Sequence, residues 1–106
     1  MNKEIQEKIN QLQNIEQNIN VIISQKQQFQ SQNTENDNAL SQLETTDKVF
    51  RIIGNIMVAS SKEAVKKDLE EKKEVINIRL KALDKQEEKL RAKAKELQQE
   101  IMKEMK

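Results

Sequence analysis

Lys48-Val49-Phe50-Arg51-Ile52-Ile53-Gly54-Asn55-Ile56-Met57-Val58-Ala59-Ser60 interrupts an otherwise helical pattern. Two runs rich in β-branched residues flank Gly54-Asn55, and Gly54 is the only glycine in the chain. Gly-Asn between such runs predicts a tight two-residue turn that needs positive φ at its first central residue, and so a β-hairpin over about residues 48–60. The first run is apolar on both faces, with Val49, Arg51 and Ile53 on one side and Phe50 and Ile52 on the other. An isolated hairpin of that kind is marginal and adhesive. Val49, Phe50, Ile52, Ile53, Gly54, Ile56 and Val58 are therefore assigned to an assembly surface, in a sheet built by several chains. The alternative is a hairpin folded back on its own helices, which needs no partner but leaves a sheet edge open.

On the N-terminal side, Ile5, Leu12, Ile15, Ile19, Ile22, Phe29, Leu40 and Leu43 recur at alternating spacings of three and four. That is a heptad seam. The same register places Lys8, Lys26, Asn33 and Asn36 on the seam, so it is weakest from Lys26 to Asn36. Polar seam residues trade stability for register or partner choice. On the C-terminal side the seam is Leu69, Ile76, Leu80, Leu83, Leu90, Ala94, Leu97 and Ile101, interrupted by Lys73 and Glu87. Strong helix formers fill the other faces, with acid-to-base pairs four apart at Glu63–Lys67, Asp68–Lys72 and Glu87–Arg91. Ser60 followed by Glu63 has capping-box spacing and predicts the helix start.

The reading is a mainly α fold in one domain, residues 1–106: helix 1 over about 4–45, the hairpin over about 48–60 and helix 2 over about 61–105. Each helix would run roughly 60 Å at about 1.5 Å per residue. Folding the chain at the hairpin makes an antiparallel coiled coil that sets Leu40 against Leu69, Phe29 against Leu80, Ile19 against Leu90 and Leu12 against Leu97. Both termini are then expected at the far end of one rod.

Composition narrows the chemistry. The 106 residues are 35% hydrophobic, 35% charged and 2% aromatic, with no Cys, His, Pro or Trp. So few aromatic side chains do not fill a compact single-chain core, while the scarcity of Gly and Pro argues against disorder. Without Cys or His there is no thiolate nucleophile, imidazole base or zinc cluster. Adjacent carboxylates such as Glu70 and Glu71, or Glu87 and Glu88, face apart on a helix with no pocket to raise a pKa. No enzyme activity, catalytic residue, metal or cofactor is expected. Residues 1–47 hold three Lys and seven acidic groups, whereas residues 48–106 hold sixteen basic and eleven acidic ones. The basic residues of the second half, including Lys66, Lys67, Lys72, Lys93 and Lys95, are interleaved with acids and lack an aromatic platform. Solvated helix faces are expected there rather than a nucleic-acid site. The polar N-terminus and the lack of a long apolar run predict a soluble, intracellular protein without a membrane segment.

Helix, single hairpin and helix, with Gln25-Lys26-Gln27, with Val49-Phe50-Arg51 leading to Ile53-Gly54-Asn55-Ile56, and with Lys85-Gln86-Glu87-Glu88-Lys89-Leu90, resembles the β-type subunits of the prefoldin family. The resemblance spans nearly the whole chain and is most specific in the hairpin. Phe50 stands where the family often has tyrosine, and the Asn-rich tract from Asn33 to Asn38 is a further departure. Room for one hairpin matches the β type; the α type carries two. The resemblance implies a hetero-hexamer of two α-type and four β-type subunits whose hairpins join in a double β-barrel platform bearing six coiled coils. It further implies ATP-independent capture of unfolded polypeptides at the coiled-coil tips, delivery to a group II chaperonin in the cytosol, and so a cytoplasmic chain.

Client binding is assigned to Ile5, Ile9, Leu12, Leu97, Ile101, Met102 and Met105. Ile9 and Met102 lie beside the seam, terminal turns fray, and flexible Met accepts many sequences. Ile5, Leu12, Leu97 and Ile101 read equally well as ordinary coiled-coil knobs. The rival function is a coiled-coil scaffold that assembles a complex without holding clients.

Overall fold

The computed structural model describes residues 3–105. Helix α1 runs Lys3–Leu43, strand β1 Val49–Ile53, strand β2 Ile56–Ser60 and helix α2 Lys62–Met105. The chain is mainly helical, with one two-stranded antiparallel sheet. Val49 pairs with Ser60, Phe50 with Ala59, Arg51 with Val58, Ile52 with Met57 and Ile53 with Ile56. Gly54 has φ +61°, and no other described residue has positive φ. Those are the φ signs of a type II′ turn, which matches the right-handed twist of its strands.

The chain forms two compact units. The first holds the residues up to Gln27 and from Lys81 onward. In it Ile15, Ile19, Ala94 and Leu97 form a buried cluster, with Leu12, Ile23 and Leu90 packed against it. Lys8 meets Glu104 and Lys26 meets Asp84, so the helical segments run antiparallel. The second unit holds Gln28–Leu80. Its helical segments are antiparallel as well, cross-linked by Asn33–Asn77 at 2.9 Å and Asp37–Lys73 at 2.6 Å. The guanidinium of Arg79 lies 5.8 Å from the centre of the half-buried Phe29 ring.

Every seam position read from the heptad spacing is buried or half-buried, the polar Lys8, Lys26, Asn33, Asn36, Lys73 and Glu87 included. The boundaries differ in detail. Helix α1 ends at Leu43 rather than near residue 45, because Thr45 turns back to donate from both its amide and its hydroxyl to the Gln42 carbonyl.

The cap of α2 is Ser61, not Ser60. Ser60 is consumed as the last β2 residue opposite Val49, while Ser61 Oγ accepts the Ala64 amide at 3.1 Å. The third helical residue is then Ala64, so no carboxylate closes a capping box, and Glu63 acts only through the positive end of the helix dipole. Ser61→Ala is expected to lower stability by about 1 kcal/mol in chemical denaturation, with Ser60→Ala leaving the helix start intact. Equal losses from the two would return the cap to Ser60.

No helix among the described residues is long and apolar enough to cross a membrane.

Candidate functional site

Two surfaces merit attention, and the first is the hairpin. Every residue from Phe50 to Ala59 is exposed, and half-burial is confined to the base rung, Val49 and Ser60. Ile52 is 74% exposed and its cross-strand neighbour Met57 66%. The strands are thus not folded back under the helices. Since paired residues share a face, Phe50, Ile52, Met57 and Ala59 make one wholly apolar face. The other face carries Val49, Arg51, Ile53, Ile56, Val58 and Ser60. Val49 and Phe50 border a shallow hollow with Leu43, Val65 and Leu69. Beyond that hollow the described residues offer the hairpin little cover, and both outer strand edges are unpaired among them.

Arg51 is the one charged residue of the two strands. Its Nη2 donates to Asp68 Oδ2 of α2 at 2.5 Å, and Lys72 Nζ approaches the same oxygen at 3.6 Å. Spacing four apart identified the Lys72 partner, but nothing in the strand pattern revealed Arg51. No ion pair closes between Glu63 and Lys67 among the described residues.

The polar seam residues find partners across the helices, except that Asn36 donates to Asn33 on its own helix at 3.4 Å. Lys26 Nζ donates to Asp84 Oδ1 at 2.6 Å and to Glu87 Oε1 at 3.1 Å. Arg91 Nε donates to Glu87 Oε2 at 2.7 Å. Hydrogen bonds from Arg91 and then Lys26 hold the Glu87 carboxyl below the ordinary range, while those to Asp84 and Glu87 raise the Lys26 ammonium. Glu87 is therefore a structural anion rather than a proton donor. Lys8 reaches Glu104 at 2.6 Å, with Glu100 at 3.7 Å and Glu4 at 3.9 Å, and its pKa is raised chiefly by the bond to Glu104. No cluster of potential metal ligands occurs among the described residues.

The second surface is formed by the terminal turns. Met102 and Met105 are exposed, Ile9 and Leu12 are half-buried, and Ile5, Leu97 and Ile101 are buried in the seam. The assigned residues thus divide into two exposed thioethers, the half-buried Ile9 and Leu12, and three side chains buried in the seam. Met102 borders a shallow hollow with Glu96, Gln99, Glu100 and Lys103. The assembly residues read from the sequence omit Met57. The signal was available, since the turn at Gly54-Asn55 forces Met57 opposite Ile52. Exposed Val21, Val75 and Ile78 lie off the seam, and no periodicity marked them.

A family model described as Prefoldin subunit matches residues 6–106. The chain is 39% identical over 101 residues to a prefoldin subunit beta of Archaeoglobus fulgidus, covering 92% of this chain and 87% of that one. It is 35% identical over 101 residues to its counterpart in Pyrococcus horikoshii, covering 92% and 86%. The crystal structure of the prefoldin beta subunit from Thermococcus strain KS-1 superposes with a TM-score of 0.90 at 32% identity, covering 96% of this chain and 92% of that one.

Proposed function

The chain belongs to the prefoldin subunit family, on its β-type branch, and from that premise we propose that it is one subunit of an ATP-independent holdase that captures unfolded polypeptides and passes them to a group II chaperonin in the cytosol. Each chain acts as a single domain in a hexamer of two α-type and four β-type subunits. Val49, Phe50, Ile52, Ile53, Gly54, Ile56 and Val58, joined by Met57, bind the subunits into a β-barrel platform. Clients meet Met102 and Met105 first, because these are already exposed. Ile9 and Leu12 add area, and Ile5, Leu97 and Ile101 become available only as the terminal turns fray.

The observation that carries the reading is the pair of exposed methionines beside a buried seam in a chain of this family. A thioether packs against many shapes at similar cost, and several weak sites in one complex hold a client more firmly than any one of them.

The test is light scattering of a chemically unfolded client diluted, without nucleotide, into this chain co-assembled with an α-type prefoldin subunit. Ile9→Ser with Met102→Ser and Met105→Ser is expected to raise the concentration needed for suppression about tenfold or more, with the assembled mass unchanged. Undiminished suppression by the triple variant would remove the tips from the mechanism. No suppression by the intact complex would leave the scaffold.

A further inference from the structure

We propose that Asp68 is a built-in counter-ion that lets the hairpin carry Arg51 into the subunit interface. The inference rests on the reading of the hairpin as the assembly surface. Arg51 lies on the face shared with Ile53, Ile56 and Val58, all of them exposed in the single chain. An interface that covers this face takes a guanidinium out of water together with its apolar neighbours. Arg cannot shed its proton to escape that cost. The compensating charge therefore has to travel with it, and Asp68 is already in place on α2 of the same chain, hydrogen-bonded at 2.5 Å.

The value of the pair depends on its surroundings. In the single chain the Arg51 and Asp68 side chains are 42% and 36% exposed. An ion pair that wet contributes little to stability. Once another subunit's strand covers the face, removing one partner strands an uncompensated charge in a low-dielectric interface, which is among the costly defects a protein interface can contain. Asp68 thus does little for the subunit and much for the complex. It also lies outside the hairpin, in a stretch whose own pattern reads only as solvated helix.

The test compares the intact chain with Asp68→Asn, Arg51→Met and the double variant Arg51→Met/Asp68→Asn. Sedimentation with an α-type prefoldin subunit measures assembly, and circular dichroism of each chain alone measures its helices. Asp68→Asn is expected to leave the helical signal unchanged and to weaken assembly by about a hundredfold or more. The double variant, which removes both charges, is expected to return to within about tenfold of the intact chain. Lys72→Gln, which removes only the more distant cation, should assemble normally. Asp68→Asn assembling like the intact chain, or the double variant being no better than the single one, overturns the proposal. Ile56→Asp, on the face that carries Arg51, supplies the control for the underlying reading. If it blocks assembly while Asp68→Asn does not, the counter-ion role alone fails; if it too assembles normally, the reading of this face as a subunit interface fails with it.

Discussion

Ile52→Asp combined with Met57→Asp is expected to yield a chain with both helices intact that no longer joins other prefoldin subunits. The two residues are directly opposed across β1 and β2, on the face that carries no charge. In the single chain both side chains stand in water, so exchanging them for carboxylates costs little beyond a like-charge cross-strand pair, about 0.2–1 kcal/mol. In the assembled sheet the same exchange forfeits about 1.5–3 kcal/mol of burial for each apolar side chain. It also demands that two uncompensated carboxylates lose their water, at several kcal/mol each. The sum exceeds what a typical subunit interface has to spare, and it recurs in every copy. Sedimentation should give the mass of the free chain where the intact protein gives the complex, with unchanged far-ultraviolet circular dichroism. A variant that still reaches full assembled mass would show that this face is not covered by another subunit.

The contrast between the two proposed surfaces reflects what a sequence pattern can encode. Heptad spacing is a statement about which side chains share a stripe, and it placed Lys26 and Glu87 on the seams because stripe geometry does not depend on polarity. It did not establish that Lys26 would reach both Asp84 and Glu87, since a long flexible ammonium chooses among carboxylates within a turn of each other. The hairpin was legible for a different reason. Gly54 is the only glycine, and the turn it permits fixes every cross-strand pair on either side. Once those pairs are set Met57 belongs with Ile52, although its lack of β-branching made it the less conspicuous residue. The helix start slipped by one because adjacent serines offer the same cap chemistry. Only the strand ladder, which uses Ser60, decides between them. The Arg51–Asp68 bond was beyond reach, because it joins residues 17 apart across a strand and a helix whose relative placement no periodicity records. Among the terminal residues spacing sets Ile9 and Met102 beside the seam, and of the two Met102 is exposed while Ile9 is half-buried. Spacing puts Ile5, Leu97 and Ile101 on the seam, and their burial follows from packing.

Ile19→Ala should be a severe truncation in the first unit, with an expected loss of about 2–4 kcal/mol in chemical denaturation. Ile19 is 7% exposed and belongs to the cluster of Ile15, Ala94 and Leu97. Two packed helical segments have a core only one side-chain layer thick, and Ala94 is already the smallest apolar residue on its stripe. The hole left beside it is therefore faced by a single methyl there, and closing it would mean moving Leu90 or Leu97 off the seam. Partial access of water to such a thin layer keeps the cost below the top of the range seen in thick cores. A domain of this size commonly has about 5–15 kcal/mol in total, so the loss is a large fraction of what holds the unit together. Val21, two residues on, is exposed, and Val21→Ala should change stability by no more than about 0.5 kcal/mol. The damage should also be local. Hydrogen exchange should quicken in residues 3–27 and 81–105, where the cluster lies, while the hairpin strands keep their ladder and the chain still assembles. Equal losses from Ile19→Ala and Val21→Ala would mean that the stripe does not form the core. Loss of assembly with Ile19→Ala, the hairpin being untouched, would mean that subunit joining depends on the first unit as much as on the strands.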